Sequence, residues 1–95
     1  MNRQELIETI AQRTGQSLRQ VDSTLTALVR TIQEVVASGD KVALMGFGTF
    51  EPKIQEARQA RNMATGEAIH VPATTKPRFK PGVTFKKVVA EGLPR

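Results

Sequence analysis

An apolar repeat at spacings of three and four residues runs from Leu18 to Val36. Such spacings place side chains on one face of a helix, so the repeat predicts a long amphipathic helix. Ser17 and Gln20 match a capping box at its start, and Gly39 is a typical C-terminal cap. A helix of about 20 residues is roughly 30 Å long, as long as a small domain is wide. We therefore expect its apolar face to need a partner chain, with a dimer core formed by Leu25, Leu28, Val29 and Ile32.

The rest of the chain predicts one short helix, a hairpin and a ribbon. Asn2 and Glu5 form a second capping box, and Gly15 ends the helix that follows them. Residues 41–45 and 49–54 alternate like strands around a glycine turn, which predicts a hairpin. We assign four residues near this hairpin to the dimer core as well: Leu44, Phe47, Phe50 and Phe79.

Residues 51–76 read as two strands joined by a turn at residues 64–67, yet they contain few large apolar residues. A ribbon without a core on either face is marginal in water by itself. Such an arm is usually disordered, or becomes ordered only when it binds a ligand. A short helix from Val83 to about Ala90 ends the pattern.

The net charge of +5 is unevenly distributed along the chain. Residues 1–40 contain four basic and five acidic residues, whereas residues 41–95 contain ten basic and four acidic ones. A basic half is typical of a protein whose partner is a polyanion, such as nucleic acid or an anionic membrane. Ordinary surface charge that serves solubility is the alternative.

Several classes of protein are disfavoured by the composition. The 95 residues make one domain at most and contain no cysteine. No apolar run approaches the roughly 20 residues of a membrane span, and no apolar stretch follows the N-terminus as in a signal peptide. We therefore expect a soluble, intracellular protein. The single histidine, His70, has no carboxylate or cysteine nearby, and Gly46-Phe47-Gly48 lacks the Lys-Ser/Thr of an ATP site. We expect no enzyme activity, no cofactor and no metal.

Three segments carry a family resemblance: "SGDKVALMGFGTFE", "ARNMATGE" and "VPATTKPRFKPG". They resemble the bacterial histone-like HU/IHF family of DNA-bending proteins. The resemblance implies an α+β fold that forms an intertwined dimer, with two helices per chain beneath a β-sheet saddle, two extended ribbon arms and a short C-terminal helix. It implies one domain over residues 1–95, divided into a helical dimerisation part (1–40), a sheet (41–82) with its arm (51–76), and a C-terminal helix (83–92).

The resemblance also implies which residues contact DNA. Met63 stands where family members usually have proline, the residue that wedges between base pairs. The clustering of basic residues beside the arm base independently favours phosphate contacts there. The expected DNA-binding residues are Arg3, Gly46, Gly48, Lys53, Arg58, Arg61, Asn62, Met63, Lys76, Arg78, Lys80 and Lys86.

The function implied is that of a homodimer that binds duplex DNA with little sequence preference and bends and compacts it in the cytoplasmic nucleoid. A heterodimer with a paralogue is also consistent with the sequence. One alternative is an IHF-like subunit that prefers particular sequences. Another is a dimeric protein-interaction module whose arms pair with other proteins by strand addition. No membrane or small-molecule substrate is expected.

Overall fold

A computed structural model describes residues 1–93 as two compact units, Met1–Glu34 and a second that begins at Val35. Helices followed by sheets and a final helix confirm the α+β class. Whether residues 1–95 act as one domain stays a prediction, and residues 94 and 95 lie outside the described part. In chain order the elements are α1 (Arg3–Thr14), α2 (Leu18–Ala37), β1 (Val42–Leu44), β2 (Gly48–Gln55), β3 (Arg58–Arg61), β4 (Ala68–Val71), β5 (Thr74–Pro81) and α3 (Val83–Glu91).

Side-chain caps define the ends of the first helix. The Asn2 side chain accepts a hydrogen bond from Glu5 N at 2.9 Å, and Asn2 N donates to Glu5 Oε1 at 3.3 Å. Gly15 adopts a left-handed conformation with φ of 73°, and its N–H donates to Ala11 O. Both predicted signals are confirmed, because they satisfy backbone groups that the helix itself cannot pair.

The second helix begins and ends where the apolar repeat predicts. Ser17 N donates to Gln20 Oε1 at 3.0 Å, and Gln20 N donates to Ser17 Oγ at 3.1 Å. After Ala37, Gly39 takes a φ of 95° and donates its N–H to Val36 O. The helix has the expected 20 residues.

Few apolar side chains are covered in the single chain. Within residues 1–93 the buried hydrophobic side chains are Ile7 and Val21. On α2, Leu28 is 45% exposed and Val29 is 41% exposed, although both lie on the apolar face. In the second unit Leu44, Phe47 and Phe79 are also more than a third exposed. The predicted core residues are thus only partly covered within one chain.

The second unit is built on an antiparallel sheet in the order β1-β2-β5, and β3 pairs with β4 in a separate two-stranded ribbon. The register runs from Gly48 opposite Pro81 to Gln55 opposite Thr74, then resumes with Arg58 opposite Val71. Residues 56–57 and 72–73 are unpaired, so the ribbon predicted over residues 51–76 is present but interrupted. Pro72 lies in this gap and has no N–H to give to the ladder.

Four phenylalanine rings hold the sheet to α3. The Phe47 ring stacks on Phe85 with centroids 5.1 Å apart and lies 5.2 Å from Phe79, which in turn lies 4.8 Å from Phe50. Gly48 is buried beside this cluster, and a Cβ there would lie 2.7 Å from both Lys80 O and the Phe79 ring. Only glycine allows this close approach of β2 to β5.

No helix in residues 1–93 is long and apolar enough to cross a membrane.

We predict that Gly48→Ala lowers the free energy of unfolding by about 1–3 kcal/mol, because the added methyl group overlaps backbone that cannot move aside. Urea unfolding at a fixed protein concentration measures this loss. Gly82→Ala is the matched control: its Cβ would meet Phe47 O at an ordinary 3.4 Å, and its φ is −77°. Equal losses from the two substitutions would contradict the packing role of Gly48.

Candidate nucleic-acid interface

The pairing of β2 with β5 gives the sheet two different faces. Side chains alternate between faces along each strand, and residues opposite each other share a face. Phe50 lies opposite Phe79, and Pro52 lies opposite Pro77, so one face is apolar. The other face has Thr49 opposite Lys80, followed by Glu51 opposite Arg78 and Lys53 opposite Lys76. We call Lys53, Lys76, Arg78 and Lys80 the basic face.

The basic face concentrates like charges. Lys53 and Lys76 are exposed and directly opposite each other, an arrangement that destabilises a strand pair in the absence of a counter-charge. Lys80 and Arg78 follow on the same face of β5. A polyanion that approached this face would relieve the repulsion, so the face is suited to binding phosphate groups.

Glu51 lies within the basic face and was not among the predicted site residues. Its Oε1 is 3.8 Å from Arg78 Nε, and its side chain is 29% exposed. The carboxylate therefore offsets part of the positive charge where Arg78 would meet an anion. Its spacing of two residues from Lys53 is a signal that the sequence does contain.

The β3–β4 ribbon carries two further cations. Arg58 and Arg61 are the first and last residues of β3, and both are exposed. Opposite them lie Val71 and Ala68, which are too short to cover the guanidinium groups. The ribbon thus presents both arginines to solvent.

Hydrogen bonds centred on Asn62 shape the tip of the ribbon. Asn62 N donates to Glu67 O at 2.8 Å, and Gly66 N donates to Asn62 O at 2.7 Å. The Asn62 side-chain oxygen accepts from Ala64 N at 2.9 Å, so this oxygen holds the turn. Contact of Asn62 with DNA stays a prediction. Met63, the residue at the start of the turn, is 97% exposed.

The remaining predicted contacts are dispersed. Arg3 Nη2 donates to Asp22 Oδ1 at 2.9 Å and to Thr26 Oγ1 at 2.7 Å, which ties α1 to α2. Gly46 lies in the exposed β1–β2 turn with φ of 82°. Buried Gly48 has an evident packing role, and Lys86 is exposed on α3. DNA contacts by these four residues stay predictions.

The described part of the chain contains no group of acidic, histidine or cysteine side chains able to hold a metal ion. The predicted site residues are cations, two glycines of the β1–β2 hairpin, Asn62 and the exposed Met63.

A basic sheet face, continued by a ribbon with exposed arginines, is the arrangement expected of a nucleic-acid-binding protein. The chain belongs to the bacterial DNA-binding protein family, which it matches over residues 1–90. This membership confirms the resemblance in the sequence. The family is one of DNA-binding proteins.

Known relatives match nearly the whole chain. It is 44% identical over 90 residues to the DNA-binding protein HU of a Nostoc species, covering 95% of this chain and 96% of that one. Its structure matches the cocrystal structure of Anabaena HU with DNA at a TM-score of 0.87, with 44% identity over 96% of this chain and 99% of that one. HU from Thermotoga maritima matches at a TM-score of 0.67 with 31% identity, covering 94% and 98% of the two chains.

We predict that Glu51→Gln raises affinity for a duplex DNA probe roughly two- to fivefold at low salt, because it frees Arg78 from a partly exposed ion pair. Fluorescence anisotropy measures the dissociation constant. Glu34→Gln, which removes the same charge from α2, is the control. An equal gain in both variants would mean that net charge, and not the position of Glu51, sets the affinity.

Proposed function

We propose that the protein is a histone-like architectural protein that binds duplex DNA with little sequence preference, and bends and compacts it. The basic face carries this proposal, since four cations share one side of two strands whose other side packs against phenylalanine rings. Family membership and the relatives named HU support it. We place the protein in the nucleoid of the bacterial cytoplasm.

Binding in this proposal rests on neutralising phosphates. Duplex DNA carries a dense line of charge, and each phosphate neutralised by Lys or Arg releases condensed counterions. Such contacts position a protein on DNA but carry no sequence information themselves. Lys53 and Lys76 would contribute most to the binding free energy, because a phosphate between them replaces their mutual repulsion with two attractions.

The ribbon extends the contact into the minor groove. Twelve residues of strand span roughly 40 Å at the usual rise of about 3.3 Å per residue, long enough to track along a groove. Arg58 and Arg61 would lie in the groove, whose potential is most negative where A·T-rich sequence narrows it. The break at residues 56–57 and 72–73 lets the outer ribbon change direction relative to the sheet.

Met63 would act as a wedge at the end of this arm. Minor-groove architectural proteins insert apolar side chains, methionine among them, between base steps and thereby kink the duplex. Met63 is fully available for this role at the tip. Met has three rotatable bonds, so ordering it costs more conformational entropy than ordering proline. We therefore expect weaker bending than in proline-bearing relatives and a preference for nicked duplexes, where unstacking costs little.

A dimer is part of the proposal. Leu28 and Val29 on α2, and Phe47 and Phe79 in the sheet, are more than a third exposed in one chain. Leaving such side chains in water forfeits the main stabilising contribution to folding. A second copy would cover them; a paralogous chain of the same fold would do so as well.

The two alternatives have less support. The relatives named above are HU proteins, which favours general DNA binding over an IHF-like preference for particular sites. For strand addition, an incoming chain needs free N–H groups along a sheet edge. Pro52 and Pro77 lie opposite each other without interrupting the ladder, so their nitrogens point to the two outer edges. Because proline has no N–H, neither edge can donate a hydrogen bond to an added strand at that position.

The dimer prediction is tested by sedimentation equilibrium. At micromolar concentration we expect a mass about twice the chain's 10.4 kDa. Leu28→Ala should weaken the association, because it removes apolar area from the shared face, whereas Gln33→Ala on the same helix should not. A folded species of single-chain mass for the parent protein would contradict the dimer.

Salt dependence tests the phosphate contacts. Log affinity should fall linearly with log salt concentration, by about 0.9 for each phosphate contacted. Lys86→Ala should flatten the slope by about one contact for every duplex sequence alike. Arg13→Ala, outside the proposed interface, should leave the slope unchanged. A loss of affinity confined to particular sequences would instead assign Lys86 to base recognition.

The wedge is tested by fluorescence transfer between the ends of a labelled duplex of about 30 base pairs. Met63→Ala should reduce the bend and the preference for nicked duplex while changing affinity for intact duplex little. Met63→Pro should increase the bend. Met45→Ala, which removes an equally exposed methionine from the β1–β2 turn, is the control. If Met63→Ala bends both duplexes as the parent does, Met63 is only a surface turn residue.

A further inference from the structure

Met63 is both chemically accessible and held in a defined position. Its side chain is 97% exposed, and the turn that carries it is closed by the Asn62–Glu67 and Gly66–Asn62 backbone hydrogen bonds. Gly66 adopts a φ of 75°, which permits this tight turn. The thioether is therefore presented to solvent at the end of the ribbon, by a turn that a change at the sulfur would not disrupt.

All sulfur atoms of this chain are methionine thioethers. The sequence has three methionines and no cysteine, so no thiol competes for a hydroperoxide. In the reaction the sulfur lone pair attacks the terminal oxygen of the peroxide. The O–O bond breaks, an S–O bond forms, and the proton on the transferred oxygen moves to the departing oxygen, which leaves as water. The sulfur is oxidised by two electrons and the peroxide is reduced by two, giving methionine sulfoxide.

We propose that Met63 is an oxidation-sensitive modification site. Its conversion to the sulfoxide by hydroperoxides lowers the protein's preference for nicked over intact duplex DNA. The inference rests on the proposed function. A sulfoxide is polar and chiral where methionine is apolar and flexible. Between base pairs its oxygen would lose its hydrogen bonds to water, so insertion becomes costly. Phosphate binding by the basic face is untouched, since no sulfur lies among those four cations.

Oxidation should thus separate two properties of the protein. The preference for nicked over intact duplex should fall roughly tenfold, the factor expected from one buried polar group without a partner. Affinity for intact duplex and its dependence on salt should stay the same. Because methionine sulfoxide is enzymatically reducible, treatment with both classes of methionine sulfoxide reductase should restore the preference.

Exposure alone does not single out Met63, because Met45 is 104% exposed and Met1 is 83% exposed. The test therefore compares three proteins: the parent, Met63→Leu and Met45→Leu. Each is treated with hydrogen peroxide, freed of peroxide with catalase, and compared with its own untreated sample. Peptide mass spectrometry verifies complete oxidation. Fluorescence anisotropy gives the affinity ratio for nicked and intact duplexes.

The expected result is a fall in the ratio for the parent and for Met45→Leu, and no change on treatment for Met63→Leu. A fall in all three proteins would place the effect at Met45 or Met1 and overturn the proposal. An unchanged ratio in oxidised parent, with untreated parent still preferring nicked duplex, would overturn the inference while leaving the proposed function intact. Untreated parent that binds both duplexes equally would overturn the inference, because Met63 then contributes no preference for oxidation to remove. Untreated parent that binds neither duplex would overturn the proposed function as well.

Discussion

The pairing of β2 with β5 is the interaction on which the rest of the second unit depends. Its register decides which side chains share a face, and a shift by one residue would exchange the two faces. In the observed register Phe50 and Phe79 lie together on one face, and Lys53 and Lys76 lie together on the other. Gly48 allows the close approach that holds this register, because a side chain there would overlap Lys80 O.

The same pairing places like charges opposite each other, and a bound polyanion would relieve their repulsion. Packing four aromatic rings on one face forces the intervening cations onto the opposite face. Glu51 offsets part of their repulsion through Arg78. The core and the proposed binding surface are therefore two consequences of one alternating pattern. We expect substitutions in the core to alter DNA binding even though core residues do not contact DNA.

Local signals in the sequence predicted much of this fold. Capping residues such as Ser17 and Gly39, and the apolar repeat between them, act within a few residues of one another. The hairpin and the ribbon followed from alternation and turn residues in the same way. Cross-strand relationships did not follow, because one sequence does not state which residue of β5 faces β2. The packing role of Gly48, the pairing of Glu51 with Arg78 and the gap at Pro72 all depend on that register. The sequence also did not predict that the Asn62 side chain accepts a hydrogen bond within its own turn, because the family resemblance assigns that side chain to DNA.

We propose that the basic face binds duplex DNA through its phosphates and not through its base sequence. Titration of the protein against several duplexes of equal length and unrelated sequence, at one salt concentration, tests it most directly. We predict that every duplex is bound and that the dissociation constants agree within about tenfold, well below the roughly 10³-fold or greater gap that separates specific from non-specific sites. One duplex bound about 10³-fold more tightly than the others, or no duplex bound at all, would contradict it.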